Sequence, residues 1–137
     1  MNNSEVITIL NELTESCREG QVAFRTAAEN IRNSEFRRLF NIFSQQRAQF
    51  VSELQAEVHR LGGEPQSISA QDSQEVRGYD AEASIIAECQ ASEEAAVENY
   101  REALKSDLPL DVQYVVKRQY MDIKDAFDRI RILQRAA

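Results

Sequence analysis

Two side chains of opposite charge, Arg47 and Glu93, fall at positions where the helical pattern otherwise places apolar residues. Glu93 shares its stripe with Cys89, Ala96 and Tyr100. An unpaired charge in a protein core costs several kcal/mol, so each ion needs a partner. We therefore predict a buried ion pair between Arg47 and Glu93. The stripe that contains Arg47 consists of Phe36, Phe40, Phe43, Phe50, Leu54, Val58 and Leu61.

Four further residues lie near the midpoints of their predicted helices and are expected level with Arg47 and Glu93: Cys17, Gly20, Gln119 and Tyr120. Gln119 and the Tyr120 hydroxyl are expected to supply the remaining hydrogen bonds of the pair. Gly20 has no side chain and leaves room for a guanidinium or a water. In the alternative, the methylene groups of Arg47 pack on phenylalanines while its guanidinium extends to the edge of the helix bundle. The ion pair would then lie at the surface and contribute little to stability.

The two cysteines, Cys17 and Cys89, lie far apart in the sequence and on apolar helical stripes. Neither belongs to a CxxC motif or to a cluster of cysteine and histidine. Free cysteine is among the most buried residue types. The pattern predicts buried, reduced thiols, and a disulfide or ligand role is the alternative.

Dinuclear iron and manganese sites in helix bundles need a glutamate from each of two helices and E-x-x-H from each of the other two. The chain contains no E-x-x-H, and its single histidine is His59. At about 100° per residue, His59 lies roughly 130° from the centre of its apolar stripe. We expect His59 to face solvent near a helix end.

The positions expected for the other ligands hold RAQF, residues 47–50, and QYMD, residues 119–122. This leaves Glu93 as a plausible ligand, while Glu53 flanks an apolar stripe and is interpreted as a boundary charge. We predict no metal and no cofactor; the alternative is iron or manganese at Glu93 and Cys17. There is also no nucleophile arrangement and no glycine-rich phosphate loop.

The composition favours one all-α domain over residues 1–137. Only four glycines and two prolines interrupt the chain, and 42% of the residues are hydrophobic and 28% charged. A net charge of −7 opposes binding to nucleic acid or to an anionic membrane. No apolar run approaches the roughly 20 residues of a membrane span. The sequence therefore predicts a cytoplasmic protein.

Apolar residues at helical spacing predict four helices, at about 4–32, 34–61, 83–105 and 109–135. A short break at Asn33 and Ser34 makes the first two antiparallel neighbours. Pro109 is placed in the first turn of the fourth helix, where proline is tolerated. The third and fourth helices form a second antiparallel hairpin.

The segment 62–82 is predicted to be a long crossover between the second and third helices. A helix of 28 residues is roughly 40 Å long, and residues 64–82 reach about 60 Å when extended. The crossover can therefore return along the whole bundle. Two hairpins joined in this way form the ferritin-like arrangement, which we prefer to a simple up-down-up-down bundle.

Four phrases of the chain resemble a bacterial ferritin-like family that is known only as a domain of unknown function. Between Gly62-Gly63 and IIAEC the chain is several residues shorter than the family pattern. The resemblance implies the ferritin-like fold and no established activity. The phrases are VITILNELTESCREGQVAFRTAAENI, RLFNIFSQQRAQFVSELQAEVHRLGGEP, IIAECQASEEAAVENYREAL and LPLDVQYVVKRQY.

These patterns favour a non-enzymatic structural, accessory or stress-associated bundle with a metal-free polar layer. Apolar residues expected outside the core, Val22, Met121 and Ile132, suggest a homo-oligomer or a protein partner. One alternative is a divergent iron or manganese oxidase or store. Another is a binder of a small anionic ligand, held by Arg47 in the space beside Gly20.

Overall fold

The computed structural model describes residues 1–65 and 82–136, which form four long helices and, within those ranges, no strand. The all-α prediction is confirmed. The helices are α1 (Asn3–Asn30), α2 (Ser34–Arg60), α3 (Glu82–Leu104) and α4 (Leu110–Ala136).

Two asparagine side chains set the boundaries of the first hairpin. Asn2 caps α1 by accepting a hydrogen bond from the backbone N–H of Glu5 at 2.9 Å. Asn33 caps α2 by accepting from the N–H groups of Glu35 and Phe36 at 2.9 and 3.1 Å. Since Ile31 must already be extended to bring Asn33 into this position, α1 ends at Asn30 rather than near residue 32.

The end of α2 is fixed by Gly62, whose backbone φ of +85° lies in the left-handed region. Its N–H donates to the carbonyl of His59, and the N–H of Gly63 donates to the carbonyl of Val58, each at 3.0 Å. These two bonds form a Schellman motif, which satisfies carbonyls that the helix end would otherwise leave free.

The turn between α3 and α4 ends at Pro109. The Pro109 carbonyl accepts the first bond of α4, from the N–H of Gln113 at 2.8 Å. Pro109 therefore directly precedes the helix. The prediction that it lies in the first turn was wrong by one position. Proline suits this position equally well, because the missing N–H would have had no helical partner there.

Each helix packs against two others. α1 contacts α2 and α3, and α4 contacts α3 and α2, so that α2 and α3 are diagonally opposite within the described part of the chain. Asn3 at the start of α1 donates to the carbonyl of Leu61, and Glu82 accepts from the N–H of Arg32 at the other end of α1. Leu61 and Glu82 thus lie at opposite ends of the bundle, and α2 and α3 run parallel.

The predicted crossover, residues 62–82, falls mostly outside the described residues. The end of α2 and the start of α3, which flank the crossover, lie at opposite ends of the bundle, as the ferritin-like arrangement requires. A simple up-down-up-down bundle would instead begin α3 at the end of the bundle where α2 stops.

The apolar core consists of two clusters on either side of mid-bundle. One cluster is built from Val6, Leu10, Leu13, Cys17, Phe50, Val51, Leu54, Val58, Ala96, Val97, Tyr100, Ala103, Leu108, Val112, Val116 and Ile123. The other is built from Phe24, Ala27, Ala28, Ile31, Phe40, Phe43, Ile85, Ile86, Cys89, Ala126 and Ile130. Arg47 lies between Phe43 and Phe50, and Glu93 between Cys89 and Ala96, so each falls between the residues that its helix gives to the two clusters.

The outer surface is charged, and no helix in the described ranges is both long and apolar enough to cross a membrane. Of the apolar residues expected outside the core, Met121 and Ile132 are exposed. The expectation for Val22 was wrong, because its side chain is half-buried.

Candidate functional site

Arg47 and Glu93 form an ion pair across the diagonal of the bundle, between α2 and α3. Nη1 of Arg47 donates to Oε1 of Glu93 at 2.5 Å, and Nη2 donates to Oε2. The side chains are 0% and 1% exposed. Two parallel bonds between a guanidinium and a carboxylate give geometric specificity as well as energy. Neither residue reaches the rim of the bundle.

Aromatic rings from both core clusters enclose the guanidinium. Its central carbon lies 5.2 Å from the ring centre of Phe24 and 6.0 Å from that of Phe50. Gly20 lies alongside, where an added Cβ would be 3.2 Å from Nη1 of Arg47. The space that the glycine leaves is therefore filled by the arginine. Among the described residues, Nε of Arg47 has no hydrogen-bond acceptor.

The charge of each residue in the pair opposes the effect of burial on the pKa of the other. Burial alone would lower the pKa of Arg47, but the bonded and charged Glu93 raises it above its ordinary value. Burial raises the pKa of the Glu93 carboxyl, and Arg47 counteracts this rise. Because both carboxylate oxygens accept from the guanidinium, the two-bond geometry favours the charged form of the pair.

A second group of polar atoms, the polar chain, consists of Cys17, Tyr100, Gln119 and Glu53. Sγ of Cys17 lies 3.0 Å from the Tyr100 hydroxyl, which donates to Oε1 of Gln119 at 2.7 Å. Nε2 of Gln119 donates to Oε1 of Glu53 at 2.9 Å. Glu53 accepts at its other oxygen from Arg118 at the surface. The polar chain takes one residue from each of the four helices, and so fixes their relative register.

The polar chain differs from the predicted layer in two respects. Gln119 is buried, but it bonds to Tyr100 and Glu53 rather than to the ion pair. Tyr120 is half-buried, and its hydroxyl accepts from Nε of Arg101 on an exposed face at 3.2 Å. Adjacent residues on a helix point about 100° apart, so Gln119 and Tyr120 cannot both face the centre. The tyrosine of the layer is Tyr100.

The Cys17 thiol and the Tyr100 hydroxyl of the polar chain are held in their neutral forms, as is the second buried thiol, Cys89. Burial raises the pKa of the Cys17 thiol to about 11 and that of the Cys89 thiol to about 12. Burial, followed by the effect of Cys17, raises the pKa of Tyr100 well above its ordinary value. The thiolate is the nucleophilic form of cysteine. Neither cysteine is therefore activated for catalysis at neutral pH.

The residues at mid-bundle do not fit a carboxylate-bridged metal centre. Both oxygens of Glu93 are bonded to Arg47, and Cys17 faces Tyr100. Across residues 1–65 and 82–136, no three side chains of histidine, cysteine, aspartate or glutamate come close enough together to hold a metal ion. His59 is exposed in the last turn of α2. We derive no metal chemistry from this donor set.

Tyr100 and Glu53 were not predicted to belong to the polar layer. Tyr100 was placed among core residues, and a buried tyrosine hydroxyl requires a partner, which was the available signal. Glu53 is half-buried, with 23% of its side chain exposed, and it receives bonds from two residues of α4. Nothing in the spacing of α2 distinguishes it from the solvated carboxylates nearby.

Comparison with known proteins gives a family and a fold. The family described as "Domain of unknown function (DUF2383)" matches residues 5–106. A crystal structure of a two-domain protein from Anabaena variabilis, containing DJ-1/ThiJ/PfpI-like and ferritin-like domains, is similar with a TM-score of 0.84 and 18% identity. The match covers 99% of this chain and 37% of that one. No curated protein matches the sequence.

Proposed function

This chain belongs to the DUF2383 family of domains of unknown function, and on that premise we propose that it is a non-enzymatic, cytoplasmic accessory protein. Its ferritin-like bundle is organised around an arginine–glutamate pair in place of a metal centre. The bundle acts by associating with other protein surfaces.

The observation that carries this proposal is the closed ion pair of Arg47 and Glu93. The guanidinium supplies the positive charge that a metal ion would otherwise bring to this carboxylate. The same pair engages both Glu93 oxygens, and the positive guanidinium beside them opposes both the approach of a metal cation and the uptake of a proton by the carboxylate. Together with the raised pKa values of Cys17 and Tyr100, this leaves the middle of the bundle without an activated group.

The architecture of the Anabaena protein supports an accessory role. In that chain a ferritin-like domain accompanies a DJ-1/ThiJ/PfpI-like domain, and the present chain spans 37% of its length. The fold is thus found beside a second domain. The likeness is one of fold.

The metal content of the purified protein tests the proposal. The chain is produced in cells supplied with iron, manganese and zinc, purified without chelators and measured by mass spectrometry. We expect metal well below one ion per chain, both in the wild type and in Glu93→Gln. About one or two ions per chain, lost in Glu93→Gln, would instead establish the iron or manganese alternative with Glu93 and Cys17 as ligands.

The anion-binding alternative requires open space beside Gly20. Arg47 fills that space, and both of its Nη atoms are bonded to Glu93. A thermal-shift titration with inorganic phosphate and acetate tests this alternative. We expect no rise in melting temperature that depends on Arg47.

A further inference from the structure

The outer face of α4 carries a row of large exposed apolar side chains. Leu110 is 85% exposed, Tyr114 70%, and Met121 and Ile132 each 64%. Scattered apolar residues are normal on a protein surface and require no explanation. These four belong to one helix, and their alignment distinguishes them from scattered residues.

Helical spacing places the four residues on a single line. At about 100° per residue, they fall within about 40° of one another around the helix axis. Leu110, Met121 and Ile132 are separated by steps of 11 residues, a period that stays on one face of a nearly straight helix. The row extends for about 33 Å at 1.5 Å per residue. We refer to these four residues as the α4 row.

We propose that the α4 row is the contact between two copies of this chain, related by a two-fold axis that passes beside Met121. The copies of α4 run antiparallel. Met121 then packs against its own copy, and Leu110 lies level with Ile132 of the second copy. Tyr114 lies level with Asp128 of the second copy, where its hydroxyl can donate to the carboxylate. One symmetry operation therefore gives every member of the row a chemically suitable neighbour.

The charges along the row favour this antiparallel arrangement over a parallel one. Lys117 and Asp125 lie equally far from Met121 in opposite directions along the helix, within about 40° of the row centre. In the antiparallel pair, Lys117 of each copy lies level with Asp125 of the other. A parallel pair would set Lys117 against Lys117 and Asp125 against Asp125, a like-charge placement that opposes association.

This inference extends the accessory role by naming a surface and a partner, and it can fail separately from the proposal about the core. The α4 row lies outside residues 5–106, so the family match does not imply it. One helix face is small compared with the roughly 800 Å² per partner of a stable interface. We therefore expect a dimer that dissociates on dilution.

Sedimentation velocity tests the interface in the intact chain. We expect the weight-average mass to rise from monomer towards dimer between about 1 μM and about 1 mM. Met121→Lys places two like charges at the two-fold axis and should weaken association at least about tenfold. Ile42→Lys is the matched control, since Ile42 is 51% exposed on α2, and it should leave association unchanged. Circular dichroism verifies that each variant is folded.

A charge exchange tests the antiparallel register. Lys117→Asp alone and Asp125→Lys alone should each weaken association, because each places like charges level with one another twice. Mixed together, the two variants should form a heterodimer in which both contacts are again between opposite charges. The heterodimer is detected by fluorescence transfer between differently labelled variants.

Three results would overturn the inference. One is a monomer at every concentration. Another is a dimer that survives Met121→Lys while Ile42→Lys disrupts it. The third is failure of the mixed charge variants to associate better than either variant alone. None of these results bears on the metal content, so the two proposals are decided independently.

Discussion

Arg47 on α2 and Glu93 on α3 join diagonally opposite helices through two parallel hydrogen bonds at the centre of the bundle. Neither side chain is more than 1% exposed. The apolar clusters lie on either side of this pair. The backbones of α2 and α3 stay apart in the described ranges, so the pair spans the interior from one helix to the other and fixes the level at which they face each other.

The Tyr100 hydroxyl should matter to stability far more than that of Tyr120. Tyr100→Phe leaves Oε1 of Gln119 without its 2.7 Å donor in a buried site. Leaving a buried polar group unpaired costs about 1–3 kcal/mol. Urea denaturation should show a loss of this size.

Tyr120→Phe is the matched control. The Tyr120 hydroxyl accepts from Arg101 on an exposed face, so its removal should change the free energy of unfolding by less than about 0.5 kcal/mol. Equal losses in the two variants would refute the assignment of Tyr100 to the polar chain.

Gly20→Ala should have opposite effects in two backgrounds. In the wild type, the new Cβ would lie 3.2 Å from Nη1 of Arg47, which Glu93 holds in place. The strain of overpacking, about 1–3 kcal/mol, should outweigh the helix-propensity gain of about 1 kcal/mol. In an Arg47→Met background the strain is relieved, and the same change should stabilise. Stabilisation in both backgrounds, measured by denaturation, would show that Arg47 is not held against Gly20.

Stability should fall as the solution becomes alkaline. The unfolded chain releases the protons of Cys17 and Cys89 near a pKa of 9.0, whereas the folded thiols keep theirs until about 11 and 12. The stabilisation is therefore complete below pH 9 and is lost progressively above it. Between the unfolded and the folded pKa, each thiol lowers the free energy of unfolding by about 1.4 kcal/mol for each unit that the pH rises.

Cys89→Ala isolates one of these contributions. Denaturation of this variant between pH 9 and 11 should show a shallower dependence of unfolding free energy on pH than the wild type. All other residues are the same in the two proteins, so the comparison isolates the Cys89 thiol. Identical slopes would mean that the Cys89 thiol is not protected by burial.

Periodicity predicted most of the fold, because each helix buries one face and so repeats its apolar residues every three to four positions. The same reasoning placed Arg47 and Glu93 in the interior. It failed at Tyr120, because two adjacent polar residues, Gln119 and Tyr120, were both predicted to face the interior. It also failed at the end of α1, where the chain becomes extended at Ile31 so that Asn33 can cap α2. Such details depend on hydrogen bonds between distant residues, which spacing does not encode.

The polar chain was only partly predictable for a related reason. Gln119 and Cys17 were identified because they lie near the midpoints of their predicted helices, at the level of the ion pair. The role of Glu53 comes from α4, which brings Gln119 and Arg118 to it across the helix interface. A contact between helices that are far apart in sequence requires their relative rotation, and this is set by the packing of the whole bundle.

The most direct test of the account is a double-mutant cycle on the central pair, measured by urea denaturation of the wild type, Arg47→Met, Glu93→Leu and the double variant. Each single change leaves a buried charge without its partner and should cost about 3–5 kcal/mol. The double variant replaces both charges by apolar groups and should recover most of this loss. Single effects that add to within about 0.5 kcal/mol would contradict the account, because they would show that the two residues do not depend on each other.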